Sequence, residues 1–215
     1  MMKRMMRASR TEDRAHPGVG DRRWLLLFLV VPILPADASG QADAGSTGLT
    51  RDEIRADFER MARPNGYWVA SNAAYLPAFP GEPEEYRMAF RRAPDGNSMR
   101  GCMWGATNGE ATPVFWHFFY GWDPTRDGVL AYQSSAGGAV AIGWEHGSGD
   151  GEREAVQVLT APNGSSRQIR HLNRSTHPDS MLSRSFERPA QGDQEWEARR
   201  TYTWVWYPTP DSRPC

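Results

Sequence analysis

The sequence predicts an all-β fold: an antiparallel up-and-down meander closed into a barrel of about 8–10 strands, with one short N-terminal helix. Three observations carry this. Ala111–Trp122 (ATPVFWHFFYGW) puts Val114, Trp116, Phe118, Tyr120 and Trp122 on one face of an extended chain and Phe115, His117 and Phe119 on the other. Side chains alternate along a strand, so a run apolar on both faces is expected to be buried on both. Around it, short alternating segments recur between turn signals, with no helical period intervening. A long meander has exposed edges unless it closes, which favours a barrel; a two-sheet sandwich is the rival arrangement.

The elements follow in order. Thr50-Arg51-Asp52-Glu53 is a capping box, in which the Thr hydroxyl accepts from a first-turn N–H and the Glu reaches back. Ile54, Phe58 and Met61 then share one helical face and Pro64 follows, so a helix is expected over 51–62. Strands are expected at Gly66–Ala70, Tyr86–Phe90, Ser98–Ala106, then the aromatic run. Asn108-Gly109 is a strong hairpin signal leading into that run. Further strands are expected at Val129–Ser134, Val140–Trp144, Glu154–Thr160, Arg167–Ser175 and Ser180–Arg188. The last runs over Trp196, Ala198, Arg200, Tyr202, Trp204 and Trp206, which share a face.

Ahead of the domain, Arg22-Arg23 precede an apolar run, Trp24–Pro35, followed by small residues. That run is too short to span a bilayer as a helix, which takes about 20 residues, and it has the secretory pattern. The chain is therefore divided into a signal peptide and cleavage region over 1–42, a linker over 43–49 and one barrel domain over 50–215. An uncleaved anchor is the alternative, and the arginine pair leaves the twin-arginine route open. The expected location is periplasmic or secreted, with no stable membrane span after cleavage.

Net charge is −1 at pH 7, so no basic stripe calls for nucleic acid. Of the 25 basic residues only Lys3 is a lysine. Aromatics make up 11% of the chain, with nine Trp, enough to wall a pocket. Two cysteines, Cys102 and Cys215, could pair in an exported chain, or Cys102 could be a small buried apolar residue.

Gly66-Tyr67-Trp68 on the first strand, after a helical turn and before a long apolar loop and hairpins, resembles the lipocalin or wider calycin barrel. The layout from Gly66 to Tyr207 is also similar to secreted bacterial domains with lipocalin-like folds. The resemblance implies that Trp68 sits at the closed end with an Arg of the last strand, Arg200, packed across it. It also implies an open end beneath the first long loop, Ser71–Pro83, whose Tyr75 and Phe79 are apolar for an exposed loop.

On the face patterns, Tyr86, Met88, Phe90, Trp116, Phe118 and Tyr120 are expected to line a ligand pocket. Tyr132, Trp144, Tyr202 and Trp204 are assigned to the same wall, with Trp68, Tyr75 and Phe79 around it. The partner is then a small lipophilic ligand, and no cofactor is implied. The alternatives are a barrel enzyme, an isomerase, lyase or hydrolase using His117, Arg200 and Tyr202 as acid/base and anion-stabilising groups, or a structural domain with a filled core. His146 and His171 with Glu145 or Glu154 could converge on a metal only across strands, and no local spacing predicts it. A haem barrel using one His is a further alternative. The second face of the aromatic strand could meet the helix or a second subunit, as in a homodimer.

Overall fold

The computed structural model describes residues 48–148, 151–191, 194–210 and 215. The expected signal region and most of the linker lie outside these residues. The described residues form one helix, α1 (Arg51–Met61), and eleven strands. The strands are β1 (Gly66–Ser71), β2 (Glu85–Arg92), β3 (Ser98–Thr107), β4 (Glu110–Ala111), β5 (Trp116–Asp123) and β6 (Gly128–Ser135), then β7 (Val140–Gly147), β8 (Glu152–Thr160), β9 (Ser166–His177), β10 (Ser180–Pro189) and β11 (Glu197–Pro208).

Every pairing is antiparallel, and ten strands form one ring. It runs β1-β2-β3-β5-β6-β7-β8-β9-β10-β11 and returns to β1, where Trp68 sits opposite Trp206. The fold is thus a closed antiparallel barrel, not a sandwich, and no strand of the ring is left with an open edge. β4 is a stub. Asn108 and Gly109 both take positive φ in the turn between β3 and β4, which an Asn-Gly pair adopts readily. The aromatic run then breaks at Pro113, which has no N–H for the ladder, and resumes as β5 against β3.

The expectation that the aromatic strand is buried on both faces is overturned. Trp116, Phe118 and Tyr120 face the interior, but His117 is exposed and Phe119 is 41% exposed on the outer wall. A single-layer barrel has one dry side, and among the described residues α1 covers an end of the barrel rather than this wall. Phe119, Tyr132, Ile142 and Val158 stand directly opposite one another across β5 to β8, making an exposed apolar row.

α1 forms as its sequence dictates. Thr50 and Glu53 complete the capping box, and Ile54, Phe58 and Met61 are buried. These three join a core with Trp68, Met88, Phe90, Met99, Phe118 and Trp204, residues from β11, β1, β2, β3 and β5, which are consecutive in the ring. The helix is pinned to the rim as well: Arg51 and Arg55 donate to Asn97 and the Asp95 carbonyl in the β2–β3 turn, and Arg63 pairs with Asp179 between β9 and β10.

The Trp68 indole donates to the Met61 carbonyl, fixing the helix C-terminus to β1. Gly66 is bare because a Cβ there would lie 2.3 Å from the Trp206 ring. The cations over these rings are Arg60 on Trp68, at 5.3 Å, and Arg63 on Trp206, at 4.6 Å. Arg200, the residue expected across Trp68, sits at the far end of β11, six residues before Trp206. The last turn of the helix supplies one guanidinium and the segment just after it the other, Arg63, which also lies 5.4 Å from the Trp68 ring.

Cys102 and Cys215 form a disulfide, with Cα atoms 5.5 Å apart. It ties the chain terminus to the outer face of β3, where Cys102 and Trp104 are buried.

Candidate functional site

The barrel encloses a cavity of about 360 Å³. It runs from Met61, Glu145 and Arg153 at the α1 end to Arg167, Glu187 and Arg200 at the opposite end. Its walls are mostly apolar. Tyr86, Met88 and Phe90 reach it from β2, Trp116, Phe118 and Tyr120 from β5, and Tyr202 and Trp204 from β11. Met99, Met103 and Met181 add thioether surface, which is polarizable and adaptable. Phe115, just ahead of β5, packs edge-on against Tyr86 at the wall.

Two residues assigned to this wall are elsewhere. Tyr132 is 37% exposed outside, and Trp144 faces outward with Arg126 stacked on it at 3.9 Å. On β6 and β7 the inward residues include Val129, Ala131, Gln133, Ala141 and Glu145. The large rings of β5 already occupy the interior, so the next two strands turn their small side chains inward. Trp68 packs in the core at the α1 end, and Tyr75 and Phe79 belong to the loop at the other end.

The candidate trio His117, Arg200 and Tyr202 is not assembled. His117 is on the outside, while Arg200 and Tyr202 line the cavity. Glu154 faces away from the interior to pair with Arg170, whereas Glu145 and His171 face in, so the cross-strand metal grouping is not formed either. Among the described residues no three His, Cys, Asp or Glu side chains are grouped to hold a metal.

The polar groups that do face inward carry the electrostatics. At the α1 end, Arg153 of β8 contacts Asp57 of α1 at 2.5 Å and Glu145 of β7 at 2.8 Å. Burial pushes the Glu145 carboxyl above its ordinary pKa, and Arg153 pulls against that. Burial works against the Arg153 charge, but the two carboxylates outweigh it and hold the guanidinium protonated. Tyr120, buried beside Glu145, is raised by burial and by that charge.

Midway along, the indole of Trp116 donates to Gln133 Oε1, Gln133 donates to Gln157 Oε1, and Gln157 donates to the Ala131 carbonyl. This chain satisfies both buried amides. His171 on β9 also faces in, opposite Ala155 and Ser185. Its Nε2 is buried and has no hydrogen-bond partner among the described residues. Burial lowers its pKa to about 4, so the ring is neutral at pH 7.

At the far end, Arg200 grips Glu82 of the 72–84 loop with two hydrogen bonds of 2.8 Å. Tyr86 OH donates to the same carboxylate, and Tyr202 OH donates to Asn72, a fully buried loop residue. Tyr75 OH accepts from the Thr201 N–H, and Arg200 lies over the Phe79 ring at 4.5 Å. The loop is therefore tied to cavity residues, at the opposite end from α1. Sequence reading missed Glu82, Asn72 and Arg153, and named Glu145 only as a possible metal ligand. For Glu145 one signal was present: Ala141, Gly143, Glu145 and Gly147 form the small-residue face of β7.

Hydrogen bonds from Arg200 lead the causes that hold the Glu82 carboxyl down at about 2, against the opposing effect of burial. Its folded pKa lies below the unfolded value of 4.5, so the clasp contributes fully above that value and is lost as pH falls through about 2. A carbon-detected NMR titration of Glu82 is expected to give a midpoint near 2; one near 4.5 would show that the clasp does not hold in solution. Glu82→Gln is expected to cost less than about 1 kcal/mol globally, because the pair is partly exposed, while hydrogen exchange in residues 72–84 speeds up.

Fold and site together define a closed ten-stranded antiparallel β-barrel with an interior, largely apolar cavity. No family model matches the chain, and no curated protein matches it. Among the described residues no helix is long and apolar enough to cross a membrane.

Proposed function

We propose that this protein is an exported, lipocalin-like barrel that binds a small apolar or amphipathic molecule in its central cavity. The observation that carries the reading is the cavity itself. A barrel whose own rings filled the centre would be a structural element; here about 360 Å³ stays open between aromatic and methionine walls. That volume is within the roughly 300–1,000 Å³ of small-molecule sites, and such sites are mostly apolar with a few placed polar groups. Burial of the ligand's apolar surface would supply the affinity, at roughly 25 cal/mol per Å² before ordering costs.

The lipocalin likeness is supported by Gly66-Tyr67-Trp68 on the first strand, by the meander order and by closure through Trp68 and Trp206. Export to the periplasm or beyond is supported by the Arg22-Arg23 and Trp24–Pro35 pattern and by the Cys102–Cys215 bond, since disulfides persist in oxidising compartments. The outward placement of His117 counts against the acid/base trio.

The test is a titration of the purified protein with N-phenyl-1-naphthylamine, an uncharged lipophilic probe. Saturable quenching of tryptophan emission at one probe per chain is expected, with Trp116 and Trp204 on the wall as reporters. A flat titration, together with a native mass spectrum showing only the bare chain, would overturn the reading.

A further inference from the structure

We infer that the cavity selects an uncharged ligand bearing one hydrogen-bonding group, a compact aromatic alcohol or phenol by class, with that group seated on His171. The inference rests on the ligand-binding reading above and deepens it. It starts from a census of charge on the cavity wall. The lining cations are Arg153, Arg167 and Arg200. Each is already engaged by protein carboxylates: Arg153 by Asp57 and Glu145, Arg200 by Glu82, and Arg167 by Glu187 at 3.3 Å.

A ligand carboxylate deep in the cavity would therefore face Glu145 and find Arg153 and Arg200 already paired; Arg167, which shares Glu187 with Arg199, is half exposed at the far end. A ligand cation would have to draw Glu145 or Glu187 away from arginine. Either way the ligand loses its hydration without a matched partner, which is the costly arrangement. A neutral ligand meets neither penalty.

Among the described residues, the wall also carries one buried polar atom without a partner. The amides of Gln133 and Gln157 are satisfied by each other and by Trp116 and Ala131. Ser185 is engaged with the Arg200 backbone in both directions. The unpartnered atom is Nε2 of His171. A buried polar atom left unpaired costs free energy that a ligand hydroxyl would recover. Either tautomer serves, because a hydroxyl can donate to or accept from an imidazole nitrogen. Asn173 and Ser183, one residue pair further along β9 and β10, line the same wall and extend a small polar patch in an apolar surround.

Size and shape complete the class. The volume is at the low end for ligand sites, which favours a compact molecule over a long chain. Phe90, Phe118, Trp116 and Trp204 with the methionines offer ring faces and thioethers, which suit a flat aromatic body.

The experiment compares three probes of one shape by calorimetry at neutral pH: naphthalene, 1-naphthol and 1-naphthoate. With the unaltered protein, 1-naphthol is expected to bind about ten-fold more tightly than naphthalene, and 1-naphthoate more weakly than both. In His171→Leu the advantage of 1-naphthol over naphthalene is expected to vanish while naphthalene still binds. Naphthoate binding as tightly as naphthol to the unaltered protein would overturn the inference without any variant. So would a naphthol preference that survives His171→Leu. If all three probes fail to bind, the cavity reading itself falls, and the inference with it.

Discussion

Replacing Arg153 with methionine is expected to lower folding stability by about 3–5 kcal/mol, the usual cost of removing one partner from a buried ion pair. Glu145 has 3% of its side chain exposed and Asp57 15%, and the two carboxylates approach each other through the guanidinium of Arg153. Methionine fills much of the same volume but leaves Glu145 buried without a cation. Asp57 keeps a second cation in Arg60, at 2.7 Å.

The sign of the pH dependence follows. Glu145 already lies above its ordinary pKa because it is buried, and losing Arg153 raises it further. A carboxyl with a raised folded pKa favours the folded state at low pH and penalises it as pH rises. The deficit of Arg153→Met should therefore be larger at pH 8 than at pH 5, by guanidinium unfolding at each pH. Adding Glu145→Gln should recover much of it. A loss under about 1 kcal/mol, unchanged with pH, would show that the triad is not a buried charge network. The helix should suffer with the barrel, because Arg153 joins Asp57 of α1 to Glu145 of β7.

Breaking the Cys102–Cys215 bond is expected to be of similar size. The two residues are 113 positions apart, and the chain-entropy model assigns about 4–5 kcal/mol to closing a loop of that length in the unfolded chain. The Cys102→Ala/Cys215→Ala variant should retain the barrel, since the ring of strands does not run through the bond, but unfold at lower denaturant with a shifted midpoint. Cys102 is 1% exposed beneath the chain terminus, so part of the loss should come from the apolar patch around Trp104. Identical midpoints with and without a reducing agent would mean that the bond does not constrain the folded protein.

Both effects involve a long-range partner, Asp57 for Arg153 and Cys215 for Cys102, and of these the sequence offered only the cysteine pairing, as one of two alternatives. The strands themselves were plain in the chain. Alternation at Tyr86–Phe90, turn residues at Pro94–Asn97 and Pro162–Gly164, and the capping box at Thr50 each act within a few residues, so local chemistry reveals them. The observed strands overlap the expected ones, with ends shifted by at most three residues apart from the aromatic strand, which starts late because of Pro113.

Alternation defines two faces but does not say which one the barrel encloses. For β5 the larger side chains went in. For β6 and β7 the smaller ones did, which put Tyr132 and Trp144 outside and Glu145 inside. His171 and Arg153 followed the same logic on β9 and β8 and became the polar features of the cavity.

By itself, the sequence determined an all-β meander with one capped helix, because hydrophobic period, turns and caps are short-range properties. Only the tertiary structure decided that the meander closes at ten strands, which face surrounds the cavity, that helix and loop occupy opposite ends, and which cysteine, arginine and carboxylate partners meet. Those outcomes depend on how much volume a closed ring leaves for side chains from strands distant in sequence, a quantity no local stretch of chain contains.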